Sequence, residues 1–288
     1  MRLMLVGLVC GTLLAVGCAH GPLARDNGLP TRTPTAQQLI AHLNSQAQAI
    51  QSIEYHDVSV SAKQGMRSFG VNGELAYQKP RNFRFLASAA GGTVADIGSN
   101  SQEFWFHFKD DGALYHCSYD DLPRVRNLRI PVHPDWIAEA LCVKEFGPAE
   151  QYQVRTVGQT MEIHSQSATP QGQPVQKVTV VALAGQNHGR IVAHHVREAD
   201  GKELWSAQII DYQNAGGYWV PRRAVVRSPR EQTEIEFRLL RCQVNRITPD
   251  RAALLFRRTT HGVQEIDLAR GPSAAPQSNP IRRTGTLP

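Results

Sequence analysis

Hydrophobicity along the chain changes period three times. Met1-Arg2 opens an uncharged run from Leu3 to Gly17, and Ala19 to Arg32 follows as an aperiodic Gly/Pro-containing stretch that reads as a tether. Thr33-Pro34 has the form of an N-cap with proline at the first helical position. Leu39, Ile40, Leu43, Ala47 and Ile50 then recur at helical spacing and predict one amphipathic helix ending near Ser52. Beyond it the period is two. His56, Val58, Val60 and Ala62 alternate with polar residues, as do Val71, Leu75 and Tyr77, then Phe83 and Phe85, then Phe104, Phe106 and Phe108. Further strands are predicted at about 151–157, 160–167, 175–183, 189–197, 203–212, 217–227 and 231–242, around eleven in all. Asp111-Gly112 and Asp200-Gly201 mark hairpin turns. A second helix is expected from Pro134 to Leu141, and a weak helical stretch from Ala252 to Arg257 precedes a polar tail. No βαβ rhythm or long repeat is present, so the expected fold is mainly β (α+β), an antiparallel sheet with few helices.

Composition adds limits. The 288 residues are 41% hydrophobic and 19% charged, which is ordinary for a globular chain able to bury its own core. Net charge is +6, but the last 44 residues hold seven Arg against three acids, so +4 of it lies from Asn245 onward. The remainder is nearly neutral, which argues against a nucleic-acid-binding face. No other segment approaches the ~20 apolar residues of a membrane span.

The N-terminal run has the parts of an export signal: one cation, a short apolar core and small residues at its end. Ala15-Val16-Gly17-Cys18 resembles the bacterial lipobox, in which the cysteine is acylated and becomes the new N-terminus. Ordinary cleavage near Ala19, leaving Cys18 free, is the alternative. An acylated Cys18 would tether the protein to a membrane, since each buried CH₂ contributes ~0.8 kcal/mol and more than one chain makes anchoring stable. Ala19 in place of an aspartate fits an outer-membrane destination facing the periplasm. The three downstream cysteines, Cys117, Cys142 and Cys242, cannot all pair with one another; buried, inert thiols are expected, with one bridge as the alternative.

The segment Gly73-Glu74-Leu75-Ala76-Tyr77-Gln78-Lys79-Pro80-Arg81-Asn82-Phe83-Arg84-Phe85 resembles the bacterial lipoprotein-localisation proteins of the LolA/LolB-like superfamily. It has their glycine, a strand ending in a basic residue plus proline, and a phenylalanine opening the next strand. The order of elements matches as well, from Thr35 to Val244. Lys79 stands where the family often has Arg, and Asn100-Ser101 stands where it has Asp-Gly. The loop Lys63-Gln64-Gly65-Met66-Arg67 offers Met66 alone as an exposed apolar residue. The resemblance implies an open, curved half-barrel with a helical cover over Thr35–Ser52 and Pro134–Val143, and an apolar cavity for acyl chains. A palmitoyl-length chain left in water would cost on the order of 12 kcal/mol at ~0.8 per CH₂. The candidate ligand-binding residues are Leu75, Tyr77, Lys79, Phe83, Phe85, Phe104 and Phe106, with Trp136 as a plug between helix and sheet.

These readings divide the chain into a signal peptide (1–17), a tether (18–32), a half-barrel domain (33–244) and a basic tail (245–288), weakly helical and then disordered. G-x-S-x-G, H-E-x-x-H, P-loop and G-x-G-x-x-G motifs are absent from the sequence. His107 and His116 flank the Asp110-Asp111-Gly112 turn and would face each other across a two-residue hairpin, as a solvated pair in preference to a metal site. Arg222, Arg223, Arg227 and Arg230 form a basic cluster expected near a sheet edge, where charge discourages further strand pairing or meets anionic headgroups. The expectation is a monomeric, lipid-anchored protein of the cell envelope, without cofactor, metal or catalytic residue, whose partners are a membrane and the acyl chains of a lipid or lipoprotein. The alternative is an assembly or sensor lipoprotein with the same fold and a filled barrel.

Overall fold

The computed structural model describes residues 29, 33–89, 92–125, 134–169, 172–260 and 262–272. Cys18 and the tether therefore lie outside the described residues, apart from Leu29, as does everything beyond residue 272. Helix α1 (Ala36–Ala49) leads into the strands β1 (Ser52–Gln64), β2 (Arg67–Gln78), β3 (Asn82–Ala89), β4 (Gly92–Ser99), β5 (Glu103–Phe108) and β6 (Ala113–Ser118). A long connection carrying α2 (Pro134–Ala140) leads to β7 (Gln153–Val157), β8 (Thr160–Ala168), β9 (Pro174–Ala182), β10 (Ile191–Glu198), β11 (Glu203–Ala215), β12 (Tyr218–Ser228) and β13 (Thr233–Val244). Helix α3 (Pro249–Leu255), β14 (Gln264–Asp267) and β15 (Gly271–Pro272) follow.

All fifteen strands among the described residues form one open, curved sheet in the order β15-β14-β6-β5-β4-β3-β2-β1-β13-β12-β11-β10-β9-β8-β7. Two antiparallel meanders are thus joined through β1 and β13, which pair from Ile53↔Val244 to Gln64↔Thr233. The connection from β6 to β7 must travel from near one edge of the sheet to the other. Of that connection, the α2 segment lies against the concave face. The sheet includes β4, β14 and β15, for which the alternation gave no separate signal.

Helix α1 begins two residues later than the Thr33-Pro34 signal suggests. Thr35 is the N-cap, and its hydroxyl accepts from Gln38 N at 3.2 Å while Gln38 Oε1 accepts from Thr35 N at 2.9 Å, a reciprocal capping box. The helix ends at Ala49, where Asn245 takes over: its Oδ1 accepts from Gln51 N (2.7 Å) and Ser52 N (3.1 Å), and its Nδ2 donates to Ala49 O (2.8 Å).

Strands β2 and β3 approach very closely at Gly73. A side chain at Gly73 would place its Cβ 2.1 Å from the Leu86 carbonyl oxygen, so the backbones approach as only glycine permits. Tyr55, Val58, Leu75, Phe83 and Phe85 on the concave side share one buried cluster with Ala138, Leu141 and Val143 of the α2 segment. Of the segment expected to be weakly helical and then disordered, β14 and β15 extend the sheet, and α3 and the residues just after it pack on the convex side. Phe256 is buried there, and Arg84 Nη1 donates to the carbonyls of Leu255 (2.9 Å) and Arg257 (3.2 Å). Strand β14 adds to β6 in parallel.

Candidate functional site

Directly opposed residues of an antiparallel pair point to the same face, so the strand registers define rows across the concave side. One row runs Tyr77↔Phe83↔Ser99↔Phe104↔Cys117, and the next runs Leu75↔Phe85↔Ile97↔Phe106↔Tyr115. The first row is filled except at Phe83, which still borders the cavity. Tyr77 is buried in the main core with its hydroxyl donating to Pro80 O (3.2 Å), and Phe104 packs with Cys117, Leu122 and Val125. The second row borders open space.

That space is a cavity of about 1020 Å³. Its left wall is Val60, Val71, Leu75, Phe85, Ile97 and Phe106 from β1 to β5. Its right wall is Trp205, Ala224, Val226, Ile235, Phe237 and Leu239 from β11 to β13, and Ile137, Ala140 and Leu141 of the α2 segment complete it. Every polar lining residue sits at one end. Gln64, Lys109, Asp110, Glu231 and Thr233 belong to strand ends and turns on that side of the sheet, where the cavity reaches the β1–β2, β5–β6 and β12–β13 connections. Phe69, 58% exposed, lines the same end, and Met66 at the β1–β2 turn is fully exposed.

Four of the residues anticipated from sequence, Leu75, Phe83, Phe85 and Phe106, line the cavity. Tyr77 and Phe104 share its face but belong to the filled row. Lys79 is not a lining residue either. Its ammonium donates to Ala47 O at 2.9 Å and to Glu145 Oε1 at 2.7 Å, tying the last turn of α1 to the segment after α2. The side chain of Trp136 lies outside the described residues. The right wall was missed as lining, although the alternation of Ile235, Phe237 and Leu239 is visible in sequence; only the pairing of β13 with β1 brings it to this cavity. The helical cover is also narrower than expected. Helix α1 packs through Leu39, Ile40 and Leu43 on Met161, Ile163 and Val181 of β8 and β9, away from the cavity, and α2 alone borders it.

Glu139 fixes α2 to the sheet. Its carboxylate is buried, and Oε1 accepts from Lys144 Nζ at 2.5 Å and from Lys177 Nζ of β9 at 2.6 Å. Burial would raise its pKa, but the two ammonium groups outweigh that and hold it down at about 2.

The remaining candidate chemistry resolves into structure. His107 and His116 do not face each other: His107 opposes Leu114 and bonds Ala113 O at 2.8 Å, whereas His116 opposes Trp105 and lies near Glu103 and Glu265. The Asp111-Gly112 turn is longer than a two-residue hairpin, with a 3₁₀ turn at Lys109–Asp111 before Gly112, and this shifts the register. Among the described residues no group of three or more His, Cys, Asp or Glu could hold a metal ion. Cys117, Cys142 and Cys242 are free, and burial pushes their thiols up to about 11, 12 and 12, so they stay protonated and inert. The basic cluster is not at a sheet edge, because β12 lies between β11 and β13. Arg222, Arg223 and Arg227 pair instead with Asp211, Glu236 and Glu234.

No family model and no curated protein matches the sequence. Solved structures do match its fold. A DUF1329 family protein from Desulfovibrio piger superposes with a TM-score of 0.50 at 10% identity, over 75% of this chain and 94% of its own. A domain assigned to outer membrane lipoprotein sorting from Vibrio parahaemolyticus gives 0.53 at 9% identity, over 77% and 100%. A LolA superfamily protein from Nitrosomonas europaea gives 0.51 at 11% identity, over 78% and 99%. Identities this low speak to architecture alone, and the chain shares the fold of these three structures.

Proposed function

We propose that this chain binds the acyl chains of a lipid or lipoprotein in the cavity beneath α2, as a lipid-anchored protein of the cell envelope. The observation that carries this reading is the distribution of polarity around the 1020 Å³ cavity. Apolar side chains line its depth, and all its polar residues gather at the turn end. A closed core would leave no such volume, and a site for a polar solute would place partners inside it. An acyl tail needs the opposite: a dry wall for the chain and a wet rim for the head group. The exposed Met66 and Phe69 beside that rim would let the opening meet a lipid surface. The likeness in fold to a lipoprotein-sorting domain supports a role in sorting lipoproteins toward the outer membrane, with Cys18 as the acylated anchor.

The test is native mass spectrometry of the Cys18→Ser form purified without detergent from a bacterial periplasm. The expected result is a co-purifying lipid that Phe85→Glu or Leu75→Glu removes while the protein stays folded. A lipid-free mass, with no uptake of an added acyl probe, would sink the proposal in favour of a filled assembly or sensor module.

A further inference from the structure

The depth and volume of the apolar cavity together fix how much chain it can hold. Its lining runs from Thr233 at the polar end to Leu239 on β13, and from Ala89 to Phe83 on β3. Each run covers six residue steps, which at about 3.3 Å per residue gives a depth of roughly 20 Å. That is close to the extended length of a palmitoyl chain. A volume of about 1020 Å³ over this depth leaves a mean cross-section of about 50 Å².

A methylene takes up about as much space as a water molecule, ~30 Å³ in the liquid. A palmitoyl chain of about sixteen carbons therefore needs on the order of 480 Å³. Two such chains fill the cavity, and the roughly 1,440 Å³ that three require exceeds it. One chain alone would leave about half of the apolar volume empty and forfeit its dispersion contacts. The shape suits two chains lying side by side. Val60 and Ala62 of β1 and Val71 of β2 carry no ring that could divide the floor, while Phe106 stands in one wall and Trp205 in the other. Each chain then packs against one wall and against its neighbour.

We infer that the ligand is a diacylglyceryl lipid, held with its two acyl chains parallel beneath α2 and one head group at the polar rim. The inference rests on acyl binding in this cavity, as proposed above, and adds the number of chains and their joining. Because every polar lining residue lies at one end, both chains must enter there with their head-group ends together. Two free fatty acids would bring two carboxylates to a rim whose charged lining groups are Lys109, Asp110 and Glu231, already one negative charge in excess. Two chains esterified to one glycerol avoid that repulsion. A glycerophospholipid and the diacylglyceryl cysteine of a lipoprotein both carry this group.

Native mass spectrometry of the Cys18→Ser protein, freed of co-purified lipid, reads the chain count directly. Lysophosphatidylethanolamine below its micelle concentration should saturate at two molecules per protein. Dipalmitoyl phosphatidylethanolamine from vesicles, or a dipalmitoylglyceryl-cysteinyl peptide, should saturate at one. Uptake of the phospholipid assigns a free lipid, and uptake of the lipopeptide alone assigns a lipoprotein. Ala224 opposes Phe237 in the right wall, so Ala224→Phe sets a ring across one half of the cavity. It should lower the lysolipid count from two to one and weaken uptake of both two-chain probes at least tenfold. Ala95→Phe does the same from the left wall where Ala224→Phe does not fold. A lysolipid count of one, or failure of both two-chain probes to bind, overturns the inference while acyl binding stands. No uptake of any probe removes both readings. Counts unchanged in both folded variants place the lipid outside this cavity and overturn the inference as well.

Discussion

Lys177 of β9 holds Glu139 of α2 across 2.6 Å in a place where the carboxylate is almost wholly removed from water. The same short helix presents Ile137 and Ala140 to the apolar cavity, so this ion pair sets the position of one cavity wall. Breaking a buried pair by removing one partner costs more than the pair is worth, because the other charge stays behind. Lys177→Met is therefore expected to destabilise the fold by about 3 kcal/mol, read from chemical denaturation. Glu139→Gln should do so by less, since an amide can still accept a lysine proton. In both variants, amides of residues 137–143 should exchange faster than those of β1. Unchanged exchange there would mean that packing alone holds α2.

His194 makes stability depend on pH in a defined window. Burial lowers its pKa to about 4, outweighing the nearby Glu139 carboxylate, while Lys177 and His195 add to the lowering. In the unfolded chain the imidazole titrates near 6.5. Between these values the unfolded state binds a proton that the native state does not, so stability rises with pH. The contribution is fully present above about 6.5 and is lost as pH falls toward 4, on the order of 3 kcal/mol in total. Glu139, held near 2, loses its contribution at lower pH, between its unfolded value near 4.5 and 2. Denaturation midpoints measured across pH 7 to 4 should fall steeply for the native sequence and less so for His194→Gln. Parallel curves would remove His194 from the account.

Lys79 acts at the opposite end of the connection. Its ammonium sits on the carbonyl of Ala47, in the last turn of α1 where the helix dipole favours a cation, and on Glu145 beyond α2. Lys79→Met should cost about 1 kcal/mol and speed amide exchange at the C-terminal turn of α1. Lys79→Arg should retain most of the stability, because an arginine fork can serve both acceptors. If Met and Arg at this position are equivalent, the contact contributes nothing measurable.

What the sequence made legible follows from how local each signal is. The phenylalanines of β3 and β5 alternate within a few residues, so their shared face could be read directly, and four of them line the cavity. Tyr77 and Phe104 obey the same alternation, yet they lie where Pro80, Leu122 and Val125 fill the face, whereas Phe83 between them in the same row still reaches the cavity, and no pattern of period two draws that distinction. Strand β4 was hidden because Asp96, buried as the partner of Arg84, reads as a polar interruption. The cluster of Glu139, Lys177 and His194 draws on three distant segments, and neither a lysine on a strand nor a lone buried histidine announces its neighbours. The C-terminal fold was missed for a related reason: its anchors are polar contacts to residues far upstream.

Arg84 and Asp96 supply the strongest of those anchors. Arg84 Nε and Nη2 donate to the two oxygens of Asp96 at 3.1 and 2.8 Å, and Asp96 is completely buried. The remaining Nη1 reaches the carbonyls of Leu255 and Arg257 at the end of α3, so one side chain both neutralises a buried acid and holds the C-terminal segment. These two duties separate by mutation. Arg84→Met alone strands Asp96 and should cost about 3–5 kcal/mol. Combining it with Asp96→Leu removes the orphaned charge, so most of that loss should be recovered, less about 1 kcal/mol for the buried Trp105 indole N–H that donates to Asp96 in the native protein. The carbonyls beyond α3 would still lack their donor. Limited trypsin digestion of the double variant should therefore cut after Arg257 or Arg258 well before the sheet is attacked, whereas the native protein resists at both. Equal protection of these bonds in the two proteins would show that Phe256, not Arg84, secures the segment.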